Sequence, residues 1–286
     1  MQTIRALNPL REATAALRAA AGVGARLALV PTMGALHDGH LKLVRRAHEL
    51  ADIVAVSIFV NPKQFGPGED LDAYPRQLER DSDLLEAESV DLLWAPGVDA
   101  MYPDGFATNL SVEGVSAGLC GADRPGHFDG VATVVCKLFN QVAPDIALFG
   151  EKDWQQLAVI RRMARDLDLF APPPTAIVGV PIVREADGLA MSSRNAYLSA
   201  QQRKAAAALP RAMRAAIARL EAGDAPGETL AALKQAILAA GFESIDYAEL
   251  RDGDSIALLE APNGNARLFV AARIGGTRLI DNMPVG

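Results

Sequence analysis

Short apolar runs alternate with amphipathic stretches over the first 180 residues of the chain. The runs are rich in leucine, valine and isoleucine, which is typical of strands buried on both faces. Such strands are predicted at residues 27–30, 52–60, 90–95, 144–149 and 176–180. Stretches with apolar residues at helical spacing predict helices at residues 9–21, 37–50, 75–88, 128–141 and 154–167. This order predicts an α/β fold, in which helices wrap a Rossmann-like parallel sheet.

Two local features refine this part of the chain. The first helix is expected to begin with Asn8 as its capping residue and Pro9 at its first position. Residues 96–127 are rich in turn residues, and one short strand is expected there, at 108–112.

The pattern changes after about residue 183 and becomes alanine-rich. Ser199 and Gln202 have the spacing of a capping box at a helix start, and Pro210 is expected to kink or split that helix. A further helix at 228–240 is expected to end at Gly241, and three short strands are predicted at 244–250, 267–272 and 277–282. Gly275-Gly276 between the last two indicates a hairpin. The chain therefore divides into domains 1–182 and 183–286, the second a smaller α+β domain with helices and a short antiparallel sheet.

Composition narrows the partners. The chain has 286 residues, of which 28 are basic and 35 acidic, a net charge of −7. This balance, without a basic tract, disfavours nucleic acid and anionic membranes as partners. No apolar run approaches the roughly 18 residues that span a bilayer. The N-terminus lacks the layout of a secretory signal, and the two cysteines form no CxxC pair, so a cytoplasmic protein with reduced thiols is expected.

The stretch Pro31–His40 carries the main candidate chemistry. It follows a predicted buried strand and opens a predicted helix, which places His37 and His40 on one face of the helix start. Free backbone N–H groups and the helix dipole favour anions there, so the two imidazoles are interpreted as donors to negative charge that develops during a reaction. Two surface histidines are the plain alternative. A metal pair is disfavoured, because no cysteine and no third histidine–carboxylate cluster lies nearby.

Further polar loops follow other predicted strands. Residues 61–68 and 150–153 lie at carboxyl ends of strands, the edge where open α/β sheets bind ligands. Lys152 can project over the same anion site as the histidines. Two hydroxyls and an arginine in the segment 191–194, between the domains, suit a phosphate clamp that closes on its ligand.

Other motifs are rejected. The glycines at 22 and 24 precede their strand, whereas a dinucleotide fingerprint follows it, and no Walker sequence is present. Residues 114–118 match the nucleophile-elbow pattern of serine hydrolases around Ser116. A turn rather than a helix is expected after them, and His127 lies too close to complete a triad.

The combination of blocks is similar to the pantothenate synthetase (pantoate–β-alanine ligase) family of the HxGH nucleotidylyltransferase superfamily, over most of the chain. The blocks that carry the resemblance are PTMGALHDGH at 31–40, FVNPKQF at 59–65, DAYPR at 72–76, FGEKD at 149–153 followed by Gln155-Gln156, and READGLAMSSRN at 184–195. The resemblance implies ATP-dependent condensation of pantoate with β-alanine through pantoyl adenylate, with release of pyrophosphate and AMP. It also implies Mg²⁺ with the ATP and a homodimer.

The resemblance also implies roles for individual residues. The catalytic residues would be His40 as proton donor, His37, Lys152 and Arg194. Gln64 and Gln156 would bind pantoate, and Gln64 would also bind β-alanine. Pro31, Met33 and Phe59 are expected as apolar walls for the geminal dimethyl group, with core packing as the equal alternative. The ATP site would comprise Met33, Gly34, Ala35, Leu36, His37, Asp38, Gly39, His40, Gly150, Glu151, Lys152, Asp153, Val183, Met191, Ser192, Ser193 and Arg194.

Some assignments stay open. The Mg²⁺ ligands are unassigned, and Asp81 is only a weak candidate. Trp154 stands where a smaller aromatic residue is expected in the family, and it should pack behind the Lys152 turn without touching the reaction. The alternative function is another HxGH nucleotidylyltransferase that acts on a phosphorylated acceptor. Gln64 and Gln156 disfavour it, because such an acceptor calls for additional lysine or arginine. A nucleotide-binding regulator without turnover is disfavoured because the histidines, Lys152 and Arg194 are all present.

Overall fold

The computed structural model describes residues 1–286 and contains two sheets. Six parallel strands form the larger sheet in the order β1-β4-β3-β2-β5-β6. These strands are β1 (Gln2–Ile4), β2 (Leu27–Thr32), β3 (Ile53–Ile58), β4 (Leu92–Trp94), β5 (Ile146–Gly150) and β6 (Ile177–Val180). The smaller sheet is antiparallel in the order β7-β8-β9. Its strands are β7 (Ser244–Asp252), β8 (Ala266–Ile274) and β9 (Thr277–Pro284). The α/β fold class and the strand-to-helix alternation are confirmed.

Ten α-helices surround the sheets. They are α1 (Leu7–Ala21), α2 (Asp38–Leu50), α3 (Leu78–Ala87), α4 (Val98–Met101), α5 (Leu119–Asp123), α6 (His127–Val142), α7 (Trp154–Asp166), α8 (Ala200–Ala206), α9 (Ala208–Glu221) and α10 (Pro226–Ala239). No helix has both the length and the apolar character needed to cross a bilayer.

The central strands are buried on both faces because their side chains point alternately to two separate cores. Leu27 and Leu29 of β2 belong to one core, which includes residues of α1, α6 and α7. Ala28 and Val30 belong to the other, which includes residues of α2 and α3. The carboxyl ends of the parallel strands then meet at one edge of the sheet.

Several boundaries differ from the sequence prediction. Helix α1 begins at Leu7 with Ala6 as its N-cap and no side-chain cap, so the expected cap at Asn8 is wrong. Strand β1 was not predicted, because three residues give too little periodicity. The strand expected at 108–112 is absent; the amide of Leu110 donates to the hydroxyl of Thr133 instead of to a neighbouring strand. The turn expected after residue 118 contains the short helix α5.

The C-terminal predictions hold more closely. The Ser199–Gln202 capping box is present, and the helix divides between α8 and α9, which leaves Pro210 in the first turn of α9, where its missing N–H is not needed. Gly275 and Gly276 both have positive φ, as a tight hairpin requires. The C-terminal elements build a core of their own, and Tyr247 of β7 and Phe269 and Ala271 of β8 pack in the core shared with α1, α6 and α7. The domain division at 182/183 stays a prediction.

Candidate active site

A cleft of about 230 Å³ lies at the carboxyl edge of the parallel sheet. The turns after β2, β3, β5 and β6 reach it, as does the segment 191–194. Most of the predicted site residues line this cleft. They are Met33, His37, Gly39, His40, Gln64, Gly150, Lys152, Asp153, Gln156, Val183, Met191, Ser192, Ser193 and Arg194. Pro31 and Phe59 line it as well.

The remaining predicted ATP-site residues do not line the cleft. They are Gly34, Ala35, Leu36, Asp38 and Glu151. The amides of Ala35 and Leu36 donate to the carboxylate of Asp81 over 2.8 and 2.9 Å, and Leu36 is buried in the core. Asp38 is exposed to solvent in the first turn of α2. These positions shape the loop around the cleft, while its surface is made by their neighbours.

The carboxylate of Asp81 supports the loop that precedes His37. Its side chain is almost fully buried (1% exposed), and both of its oxygens accept backbone amides. Ala35 has a φ of +50°, a left-handed conformation that is unfavourable for a residue with a Cβ, so the loop needs support of this kind. The two amides account for the burial of this carboxylate, and a role of Asp81 as Mg²⁺ ligand stays a prediction.

The two histidines form a capping box at the start of α2. Nδ1 of His37 accepts the amide of Gly39 over 3.1 Å, and Nδ1 of His40 accepts the amide of His37 over 3.3 Å. A Cβ on Gly39 would lie 2.8 Å from the His37 ring, so only glycine lets that ring fold back over the helix start. The ring centroids are 4.1 Å apart.

The capping box fixes the tautomer of both rings, and burial keeps the rings neutral. Because each Nδ1 is an acceptor, each neutral ring carries its hydrogen on Nε2. Burial lowers the pKa of His37 to about 4, helped by the charge of Lys152. Burial also lowers the pKa of His40 to about 3, with smaller contributions from His37 and Lys152. At neutral pH the cleft therefore contains two neutral N–H donors.

The sequence prediction missed residues that fix the orientation of Gln64. Asn61 is buried, and its Nδ2 donates to Oε1 of Gln64 over 3.1 Å. Its own Oδ1 accepts the hydroxyl of Tyr102 over 2.8 Å. The amide nitrogen of Gln64 then approaches the sulfur of Met33 at 3.0 Å. Asn61 stands in the block 59–65 and follows a buried strand, which is the signal that could have identified it.

His127 and Arg124 also line the cleft and were not predicted as binding residues. Arg124 donates to Nε2 of His127 over 3.1 Å, so Nδ1 of that ring carries the hydrogen that reaches the carbonyl of Gln64 at 2.8 Å. Burial, and secondarily the charge of Arg124, lowers the pKa of His127 to about 4. Arg124 and His127 thus fix the turn that carries Gln64 through its backbone carbonyl.

The Lys152 turn is held by the antiparallel sheet. Nδ2 of Asn282 donates to the carbonyls of Glu151 and Lys152 over 2.9 and 3.0 Å. Trp154 donates its indole N–H to the carbonyl of Gly253, and the guanidinium of Arg267 lies 3.5 Å from the centroid of its ring. Trp154 accordingly packs behind the Lys152 turn, as expected from the sequence.

A second cavity of about 370 Å³ adjoins the cleft and is bordered by the antiparallel sheet. Lys152, Gln156 and Arg194 line both cavities. No group of three or more histidine, cysteine or acidic side chains is arranged to hold a metal ion. The cleft therefore offers amide, imidazole, ammonium and guanidinium donors, a set suited to a phosphorylated, anionic ligand.

Comparison with known proteins agrees with this chemistry. The family model described as pantoate–β-alanine ligase matches residues 2–284. A protein of Novosphingobium aromaticivorans named pantothenate synthetase is 65% identical over 287 residues, covering 100% of this chain and 99% of the relative. A pantothenate synthetase of Sphingopyxis alaskensis is 60% identical over 286 residues, which cover 100% of this chain and 100% of the relative.

Solved structures are similar as well. The crystal structure of pantothenate synthetase from Thermus thermophilus has a TM-score of 0.91 and 49% identity, covering 100% of this chain and 99% of that one. The pantoate–β-alanine ligase from Francisella tularensis, complexed with beta-gamma ATP and β-alanine, has a TM-score of 0.83 and 32% identity. That comparison covers 99% of this chain and 97% of the other.

Proposed function

The chain belongs to the pantoate–β-alanine ligase family, and from that premise we propose how its residues divide the reaction. The protein condenses pantoate with β-alanine to pantothenate, and it consumes ATP through a pantoyl-adenylate intermediate. Pyrophosphate leaves in the first step and AMP in the second. The enzyme is thus a ligase that forms a C–N bond.

One observation carries the assignment of the first step. The two N–H donors of His37 and His40 share one cleft with the cations of Lys152 and Arg194. When the pantoate carboxylate attacks the α-phosphorus, the bond to the bridging oxygen breaks and negative charge moves onto the departing pyrophosphate. Donors already fixed by the capping box stabilise that charge without reorganisation. We assign this role to both histidines.

The assignment changes the role that the resemblance implied for His40. Because burial lowers the pKa of His40 to about 3, we propose that the ring enters the reaction as a neutral imidazole that donates from Nε2 and not as an imidazolium acid. It donates a hydrogen bond from Nε2 and keeps its proton. His37 has the same tautomer and the same capability. Lys152 and Arg194 supply the positive charge, and Ser192, whose hydroxyl accepts the Arg194 amide, orders the segment that carries Arg194.

The acid-binding part of the cleft is proposed around Gln64 and Gln156. An amide donates and accepts without adding charge, which suits a hydroxy acid that must itself attack as a carboxylate. Asn61 supports this role, since it holds Oε1 of Gln64 and so fixes which end of the amide donates; one N–H of that end contacts the sulfur of Met33, and the second N–H is proposed to meet the ligand. Met33 and Phe59 provide apolar walls for the geminal dimethyl group. Gln64 is also proposed to contact β-alanine.

The nucleotide is proposed to lie against Gly150, Asp153, Val183 and the segment 191–194, which line the same cleft. Mg²⁺ is proposed on family membership as part of the MgATP substrate, where the phosphates supply most of its ligands. A homodimer is proposed on family membership. A cytoplasmic location is proposed from the requirement for ATP and from the two free thiols.

The test is the first half-reaction, followed as pyrophosphate release from ATP and pantoate without β-alanine. His40→Ala and Lys152→Ala should each reduce its rate about 10²- to 10³-fold, the range for loss of one donor to developing charge. His48→Ala is the matched control, since His48 is exposed on the same helix as His40. Both variants should remain folded; Lys152→Ala should leave the unfolding curve unchanged, whereas His40→Ala removes the acceptor of the His37 amide and should lower the free energy of unfolding by about 0.5–2 kcal/mol. Near-normal turnover in either variant would remove that residue from the proposal.

A further inference from the structure

The segment 65–77, called the strap here, joins the Gln64 turn to helix α3 and carries two adjacent carboxylates. Both oxygens of Asp70 accept from Arg194, with Nε at 3.0 Å and Nη2 at 2.9 Å. Glu69 makes the same kind of paired contact with Arg124, at 2.7 and 2.6 Å. Two successive strap carboxylates therefore occupy two of the arginines that line the cleft.

Further contacts tie the strap to the segment that carries Arg194. The hydroxyls of Tyr74 and Ser193 are 3.4 Å apart. Tyr197 donates its hydroxyl to the carbonyl of Ala73 over 3.5 Å. The Arg194 guanidinium also lies 5.9 Å from the centroid of the Tyr74 ring. The strap thus meets the proposed phosphate clamp at several points.

This contact competes with the role proposed for Arg194. A guanidinium presents its paired N–H groups to a carboxylate or to a phosphate in the same geometry, so one anion excludes the other from that face. While Asp70 is bound, the charge of Arg194 is compensated and not available to a triphosphate. The two side chains are 28% and 26% exposed, so the carboxylate can return to water when it is displaced.

We propose that Asp70 is a positioning residue whose carboxylate occupies the place of a phosphate on Arg194. ATP then binds by displacing this carboxylate from Arg194. The inference rests on the proposed function, since it takes Arg194 as a ligand of the triphosphate. Asp70 keeps the arginine extended and oriented before the nucleotide arrives. Its carboxylate also lowers the affinity of the cleft for phosphate, because each nucleotide must break the ion pair.

The proposal predicts a gain of affinity on removal of a charged side chain. Asp70→Asn should tighten the binding of ATP and of pyrophosphate roughly threefold to tenfold, the range expected for a paired but partly exposed ion pair. Adenosine, which has no phosphate, should bind unchanged. The KM for ATP should fall by a similar factor, with a smaller effect on kcat. Asp72→Asn is the matched control, because Asp72 is an exposed carboxylate on the same strap.

The binding is measured by calorimetry on the full chain, with Arg194→Ala and Asp70→Asn/Arg194→Ala completing a double-mutant cycle. In the Arg194→Ala background the gain from Asp70→Asn should disappear. Asp70→Ser serves as a second variant if the asparagine substitution disturbs folding, which the unfolding curve reports.

The outcomes separate the inference from the function on which it rests. If Arg194→Ala binds ATP as tightly as the parent, the phosphate role of Arg194 is wrong. If Arg194→Ala weakens ATP binding but Asp70→Asn leaves it unchanged or weaker, Asp70 is no competitor and the exchange is refuted. Equal tightening by Asp70→Asn and Asp72→Asn would indicate general charge attraction and would overturn the inference as well.

Discussion

Replacement of Asp81 by asparagine tests what supports the histidine-bearing loop. The substitution keeps the shape of the side chain and removes its charge. The parent carboxylate accepts the amides of Ala35 and Leu36 from a position that is 1% exposed. In the variant, one oxygen becomes an NH₂ group that faces a backbone N–H, so one acceptor is lost and two donors oppose each other.

The magnitude follows from these two bonds. A hydrogen bond to a charged group contributes about 1.5–3 kcal/mol, so the pair contributes about 3–6 kcal/mol. The variant retains one neutral bond of about 1 kcal/mol. Asp81→Asn should therefore lower the free energy of unfolding by about 2–5 kcal/mol. Adenylate formation should fall too, because the released loop carries His37.

The assay is urea unfolding followed by circular dichroism, with pyrophosphate release measured across a Mg²⁺ titration. Asp83→Asn is the control, since Asp83 is exposed on the same helix α3. An unfolding free energy within about 0.5 kcal/mol of the parent would refute the loop-support role. If stability is kept and only the Mg²⁺ requirement rises, Asp81 is a metal ligand after all.

Three further predictions follow from the site. The free energy of unfolding should fall as the pH drops from about 6.5 towards 4, because in this range histidines are protonated in the unfolded chain but not at the buried positions of the folded one. Each ring adds a slope of up to ~1.4 kcal/mol per pH unit. A flat profile between pH 7 and 5 in urea unfolding would contradict this. The rings concerned are His37, His40 and His127. Asn282→Ala should lower the adenylation rate more than the affinity for ATP. It should also lower the free energy of unfolding by about 1–3 kcal/mol, since two carbonyls of the Lys152 turn lose their donor. An unchanged rate in rapid-quench assays would contradict this. Trp154→Phe should lose the bond to Gly253 and weaken the stacking of Arg267 on the ring, which together should lower the free energy of unfolding by about 1–2 kcal/mol in thermal unfolding, with pyrophosphate release within twofold of the parent.

Local patterns predicted most of the central architecture. Runs such as 27–30 and 52–60 are apolar on both faces because the strands lie between two cores, and periodicity reports burial of that kind directly. The expected strand at 108–112 failed because the side chain of Thr133 competes for the backbone there. That competition joins residues far apart in the sequence and leaves no local signal.

The site shows the same limit. His37, His40 and Lys152 could be placed from their strand-to-helix turns, and they line one cleft. Their tautomers, the support of Gln64 by Asn61 and the pairing of Arg194 with Asp70 depend on side-chain contacts that only the folded chain creates. The sequence therefore located the chemistry, whereas its protonation and orientation required the structure.

The contact between Asn282 and the Lys152 turn links the timing of synthesis to activity. The donor is 130 residues further along the chain than the carbonyl of Lys152 that it satisfies. Strand β9 leaves the ribosome long after the parallel sheet, and N-terminal units generally fold first during translation. A nascent chain can therefore complete its parallel sheet while the Lys152 turn still lacks its support. The nucleotide site is complete only when the antiparallel sheet docks, so a chain without β9 has a Lys152 turn that lacks its support and is not expected to be active.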